Sequence, residues 1–191
     1  MKIICIEGGA DIAGGGYMTV RPDSAVLREN DDFYMPHFSS DIECSCGALV
    51  RINRLAKCLD ARFASRCYDS VGAGVAFVAR DVVARAIAAG EPCDEAYCFD
   101  RSFAVSPEWV DVAERDAHHD FEFAIGENRQ RVAINNLCGI IDAAISRASG
   151  LATLKTGDMV YIGISNLQSV QSGDGVEVRL DDRTMLCFGI K

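Results

Sequence analysis

The chain has 191 residues and a mass of 20.6 kDa, with 49% hydrophobic and 25% charged residues, a make-up that fits one globular domain and excludes disordered and collagen-like classes. Nineteen Lys and Arg against 28 Asp and Glu give a net charge of -9, and the basic residues are scattered, so no nucleic-acid surface is expected. At this mass the surface scaling relations bury about 70% of the chain's surface on folding, enough for a full core without disulfides or a structural metal.

The apolar run from Lys2 to Ile6 reads as a strand that stops at Glu7. It is too short for a signal h-region or a membrane span, which leads to the expectation of a cytoplasmic protein with no membrane partner. Gly8, Gly9, Gly14, Gly15 and Gly16 then mark a loop. Without a following Gly-Lys-Ser/Thr or a dinucleotide spacing, it reads as a plain loop rather than a phosphate cradle. Ile42 to Ile52 reads as a strand, Leu55 to Tyr68 as a helical segment, and Val71 to Ala79 as a buried strand. Asp81 is the expected N-cap of a short helix through Val82, Val83, Ala86, Ile87 and Ala89, with Gly90 past its end.

Alternation of Phe121, Phe123 and Ile125 predicts an antiparallel strand turning at Gly126-Glu127-Asn128. Leu137, Ile140, Ile141, Ala144, Ile145 and Ala148 define an amphipathic helix over Asn135 to Ser149, capped by Asn135 or Asn136 and stopped by Gly150. Met159 to Ile164, Gly175 to Leu180 and Met185 to Ile190 read as strands, the last two joined across Asp181-Asp182. One domain with more strand than helix follows.

Nine cysteines, an odd number set mostly in apolar segments, read as free, buried thiols of a reducing compartment. Cys44-Ser45-Cys46 and the pair Cys93 and Cys98 lack the C-x-x-C spacing of a zinc site. His118 and His119, flanked by Asp116 and Asp120, resemble a metal pair, but at the start of a strand adjacent imidazoles point to opposite faces. They read as an exposed strand-entry pair. No Gly-x-Ser-x-Gly elbow is present.

The segment Leu154-Lys155-Thr156-Gly157-Asp158-Met159-Val160-Tyr161-Ile162-Gly163, followed by Gly173-Asp174-Gly175-Val176-Glu177-Val178, resembles the closing motif of the fumarylacetoacetate hydrolase family, "tLkpGDliytGTP" and then "GDxvev". Arg21-Pro22-Asp23-Ser24-Ala25 is similar to its "KPdSal", Ala79-Arg80-Asp81 to the end of "DfTaRD", and Phe99-Asp100 to "aKaFDg". Val50-Arg51-Ile52-Asn53, with Ala64, Tyr68 and Asp69 after it, looks like a bacterial subgroup of small members. The resemblance implies an α+β, mostly β fold: a mixed β-roll of the family's C-terminal domain type with a few short helices, over residues 1–191. Within it, residues 1–40 stand as a degenerate lid segment and 41–191 as the roll. It also implies a homodimer and one Mg²⁺ or Mn²⁺ on two Glu and one Asp, acting on a small keto acid or β-diketone.

The sequence departs from the family at those ligands. An ungapped alignment puts the two metal Glu at Ser45 and Gly47, the metal Asp at Ala76 and the active-site Lys at Tyr97. Glu7-Gly8-Gly9-Ala10 stands in place of "GRNYxxH", which supplies a lid and an acid–base His, and Gly163-Ile164-Ser165 in place of Gly-Thr-Pro. Mg²⁺ needs hard carboxylate ligands, so the leading expectation is a member without metal-dependent catalysis and without cofactor, serving a binding or interaction role toward a small keto acid or a protein. The alternative is a Mg²⁺- or Mn²⁺-dependent hydrolase, decarboxylase or isomerase with a rearranged site. Its candidates are Glu43, on the same strand face as Ser45 and Gly47, with Asp81, Asp100 and Tyr97; His37 also lies near the family motifs. Tyr97 could instead close the emptied pocket with its ring. A third reading is a thiol-based sensor or soft-metal binder using Cys44, Cys46 or Cys98.

Overall fold

The computed structural model describes residues 1–8, 16–112 and 118–191. Gly9, Gly14, Gly15 and Asp116, singled out above, lie outside the described residues. Its strands are β1 (Lys2–Glu7), β2 (Tyr17–Pro22), β3 (Val26–Leu27), β4 (Ile42–Arg51), β5 (Ser70–Ala79), β6 (Phe103–Val105), β7 (Val110–Asp111), β8 (His119–Ile125), β9 (Asn128–Ile134), β10 (Met159–Gly163), β11 (Gln168–Ser169), β12 (Gly175–Leu180) and β13 (Arg183–Gly189). Two α-helices, α1 (Arg80–Ala89) and α2 (Leu137–Leu151), and short 3₁₀ turns complete the described part. No helix among the described residues is long and apolar enough to cross a membrane.

A nine-stranded sheet runs in the order β2-β1-β10-β4-β5-β6-β3, with β11 also on β4 and β7 on β5. Among the described strands of this sheet, β1 with β10 and β3 with β6 pair in parallel and the others antiparallel, giving the mixed, mostly β architecture the sequence implies. A second sheet, β13-β12-β8-β9, is wholly antiparallel. Residues 2–7 and 17–22 are strands of the large sheet itself, so that sheet draws on both parts of the expected division at residue 40.

The central strands are apolar on both faces because both faces are covered. Cys44, Cys46, Ala48 and Val50 of β4 join the main core, which reaches the second sheet through Phe121, Val176 and Leu186 and α2 through Ile141 and Ile145. The opposite face packs a smaller cluster: Ile3 and Cys5 of β1, Leu49 of β4, Ala76 of β5, Phe103 and Val105 of β6, and Met159 and Tyr161 of β10.

Several expected boundaries move for local reasons. The helical period over Leu55 to Tyr68 yields only a 3₁₀ segment, Ala61–Arg66. Tertiary bonds take the preceding backbone: Cys58 N–H donates to Ser149 O and Leu59 N–H to Ser149 Oγ, at 3.0 and 2.8 Å. Asp81 is not the N-cap of α1; Ala79 holds that position without a side-chain bond, and Asp81 sits in the first turn. Asn136 caps α2 by accepting from the Gly139 amide, and the helix runs through Gly150 to Leu151, since Gly150 remains in helical geometry and its Cβ position meets open space. The final strand begins at Arg183, two residues before the expected Met185, as the Asp181-Asp182 turn allows Leu180 to pair with Arg183.

Asp158 secures β1 against the start of β10. Its carboxylate, 4% exposed, accepts from the Lys2 amide and the Lys155 amide and pairs with the Lys2 ammonium. Burial pushes its carboxyl up, but the hydrogen bonds from Lys2 and Lys155 prevail and hold it below the usual carboxylate value. A depressed folded value means its stabilisation is complete above the unfolded value of about 3.9 and is lost as pH falls through the folded one. Asp158→Asn is expected to lower unfolding free energy by about 1–3 kcal/mol at neutral pH. In urea titrations the gap from wild type should narrow below about pH 4; a gap that widens in acid would contradict this role.

Candidate functional site

Glu7 and Ser45 lie on strands separated by β10, since β10 pairs with β1 on one side and with β4 on the other. Two strand spacings put such backbones about 9.6 Å apart. The Glu7 side chain passes over Gly163, where an added Cβ would lie in ordinary contact, 3.5 Å from Glu7 Cγ. Ser45 Oγ donates to Glu7 Oε1 at 2.7 Å, and Tyr161 Oη lies 3.0 Å from Ser45 Oγ. With the serine proton committed to Glu7, the tyrosine is the donor to Ser45.

Burial, followed by the Glu7 charge, raises the Tyr161 hydroxyl well above its ordinary value, so it stays protonated. Burial and then Glu7 likewise raise Tyr17. Glu7 is only 6% exposed, and its Oε2 has no hydrogen-bond partner among the described residues. Glu7, Gly8, Tyr17, Ser45, Gly163, Ser165, Asn166 and Leu167 line a cavity of about 210 Å³.

Below this cavity the sheet face is closed by rings. Phe103 and Tyr161 meet edge to face with centroids 5.1 Å apart, over Gly74, where a Cβ would stand 2.7 Å from the Phe103 ring. Arg21, fully buried, donates from Nη1 to the carbonyls of Phe77, Tyr97 and Ser102 at 2.8 to 2.9 Å, joining β2 to β5 and the turn before β6. Its guanidinium stands 5.8 Å from the Tyr97 ring centroid and 5.9 Å from that of Phe103. Beside it, burial pushes the Cys5 thiol up to about 12 against the lowering effect of the Arg21 charge.

The profile of the "Fumarylacetoacetate (FAA) hydrolase C-terminal" family matches residues 14–190. The chain belongs to the fumarylacetoacetate hydrolase family. Solved structures agree in fold. A Yersinia pestis CO92 protein assigned to this family superposes with TM-score 0.83 at 24% identity, covering 100% of this chain and 92% of that one. Fumarylpyruvate hydrolase from Pseudomonas aeruginosa, solved with Mn²⁺ and pyruvate, gives 0.84 at 17% identity over 100% and 89%. The 5-carboxymethyl-2-hydroxymuconate delta-isomerase of Mycobacterium smegmatis gives 0.81 at 18% over 99% and 78%. No curated protein sequence matches the chain significantly.

The family alignment made above places the metal positions at Ser45, Gly47 and Ala76, and the structure gives each a physical setting. Ser45 is opposite Ala76 across the β4–β5 pair, and Ala76 is fully buried in the apolar cluster. Gly47 faces Gly163 on β10, and an added Cβ would stand 1.9 Å from the Ile162 carbonyl oxygen. The Ile164 and Ser165 amides both donate to Cys46 O at 2.9 Å, holding the two strands in that approach. A cation here would find one carboxylate, one hydroxyl already bonded to it, and a methyl. That set does not fit Mg²⁺ or Mn²⁺, which need several hard oxygen ligands. Among the described residues no group of three His, Cys, Asp or Glu is placed to hold a metal.

Glu43, Asp81, Asp100 and His37 do not line the cavity, whereas Tyr97 packs against its Tyr17 wall. Glu43 pairs with Arg80 at 3.2 Å at the start of β4. Asp81 accepts from Ser39 Oγ at 2.6 Å and from the Ser40 and Val82 amides at 3.0 and 2.8 Å, which lowers its carboxyl below the usual value and ties the segment before β4 to α1. Asp100 and His37 are exposed, Asp100 in a turn. Tyr97 is buried against the Tyr17 ring, with centroids 6.2 Å apart, but Tyr161 and Phe103 fill the space over Gly74.

Cys44 and Cys46 face the main core, away from Ser45. The neighbouring Cys46 thiol and burial hold Cys44 well above the ordinary thiol value. Burial also raises Cys98, whose Sγ donates to Val20 O at 3.1 Å. The shifts hold Cys44 and Cys98 in the protonated, unreactive form. His118 and His119 have separate partners, Asn135 and Asp120 for the first and Asp181 for the second.

Sequence reasoning places Glu43 on the face of Ser45 and Gly47; the structure pairs Glu43 with Arg80 and brings Glu7 to Ser45. Strand alternation from Ile3 and Cys5 assigns Glu7 to their face, but the parallel pairing of β1 with β10 that brings it to Ser45 joins residues far apart in the chain.

Gly47→Ala is expected to destabilise the fold by about 1–3 kcal/mol or more, because the Ile162 carbonyl must yield to the new methyl. Urea unfolding measures it, and an unchanged midpoint would contradict the described approach of β10 to β4.

Proposed function

We propose that this member of the fumarylacetoacetate hydrolase family has lost metal-dependent catalysis and serves as a binding protein, its former metal pocket kept as a small polar recess. One observation carries the reading: the Ser45 hydroxyl is hydrogen-bonded to Glu7, beside a Gly47 that admits no side chain and an Ala76 sealed in apolar contacts. A metal-bound enolate needs the cation as Lewis acid, and one carboxylate does not replace the energy of dehydrating that cation. In the same proposal the protein works in the cytoplasm as a homodimer.

The alternative, a Mg²⁺- or Mn²⁺-dependent hydrolase, decarboxylase or isomerase on a keto acid, draws support from the Pseudomonas aeruginosa relative solved with Mn²⁺ and pyruvate. Calorimetric titration of chelator-stripped protein with Mn²⁺, with and without oxalate as an enolate mimic, separates the two. The proposed reading expects no binding heat up to millimolar metal. Saturable one-to-one binding strengthened by oxalate would overturn it in favour of the enzyme.

A further inference from the structure

We infer that the recess at Glu7 takes a small molecule through a primary ammonium group; this rests on the proposal that the pocket no longer holds a metal.

Each proton in the pocket's hydrogen-bonded chain already points toward one carboxylate oxygen. Tyr161 donates to Ser45 and Ser45 to Glu7 Oε1, leaving Oε2 buried with no partner among the described residues. Buried charges in proteins are otherwise paired or metal-bound. No ion pair to Glu7 is found among the described residues; the buried Arg21 bonds through Nη1 to the backbone carbonyls of Phe77, Tyr97 and Ser102, and its Nε and Nη2 have no hydrogen-bond partner among the described residues.

Among the described residues the recess therefore has an unmet acceptor, Glu7 Oε2. An ammonium supplies the missing donor, and a charge-assisted bond to a carboxylate is among the stronger hydrogen bonds. The bond before a carboxylate rotates over a broad minimum, so a slight turn of Glu7 presents Oε2 to the cavity. Tyr17, 40% exposed, adds an aromatic wall that attracts a cation. A keto acid would bring a second carboxylate against Glu7 and be repelled. At about 210 Å³ the cavity is below the usual range of about 300–1,000 Å³ for drug-sized ligands, which limits the occupant to a few heavy atoms.

Ethylamine hydrochloride is the probe, titrated into wild type and Glu7→Gln at constant ionic strength and followed by backbone amide shifts of Gly8 and Gly163. Saturable shifts at both glycines are expected, with ethanol and pyruvate giving none. Glu7→Gln keeps the acceptor for Ser45 and should bind about tenfold or more weakly. No saturation by about 100 mM amine, or equal binding by Glu7→Gln, would overturn the inference. If that variant does not fold, wild type decides, since equal shifts from ethylamine and the uncharged ethanol would equally overturn it. Adding Mn²⁺ to the same sample keeps the two ideas apart. Metal binding would remove the proposed function itself, whereas absence of both metal and amine binding would remove only the ammonium ligand.

Discussion

The Ile162 carbonyl of β10 occupies the place where a side chain at position 47 of β4 would begin, with a notional Cβ only 1.9 Å away. Such contact between backbones is open only to glycine. It fixes β10 between β1 and β4, and the paired glycines Gly47 and Gly163 leave the sheet face bare at that level. Glu7 reaches across the bare strip to Ser45, so the pocket's chemistry follows from the absence of side chains as much as from their presence.

The family alignment expects metal carboxylates at positions 45 and 47 of β4 and 76 of β5, where this chain has Ser, Gly and Ala, and the carboxylate that meets Ser45 is Glu7 of β1. That difference bears on what the negative charge can do. Converging carboxylates supply a cation with enough ligands to replace its water, whereas one carboxylate served by a serine and a tyrosine forms a hydrogen-bonding unit. Burial and the Glu7 charge keep Tyr161 protonated, which fixes the direction of that unit. On the same face Arg21, Phe103 and Tyr161 fill the interior, leaving a shallow recess at the end of β1.

The sequence made much of the fold readable because its signals were local. Alternation in Phe121, Phe123 and Ile125, and the period of Leu137, Ile141, Ala144 and Ile145, correspond to β8 and α2 as formed. The mixed roll was legible from the closing motif around Gly157-Asp158 and its partner at Gly173-Asp174-Gly175. The failures were tertiary. Leu55 to Tyr68 has the spacing of a helix, but bonds from Cys58 and Leu59 to Ser149 hold its first part in irregular backbone. At the site, Ser45, Gly47 and Ala76 could be named from the family alignment alone. Glu7 could not, because its partner Ser45 comes from a strand 38 residues away and meets it across a third strand that follows both.

Crystals grown in millimolar MnCl₂, with diffraction collected at the manganese edge, test the account most directly. It predicts no anomalous density among Glu7, Ser45 and Ala76, and a Ser45 hydroxyl still within hydrogen-bond distance of Glu7. A manganese peak in that recess with Glu7 as a ligand would contradict it and return the protein to the metal-dependent chemistry of its family.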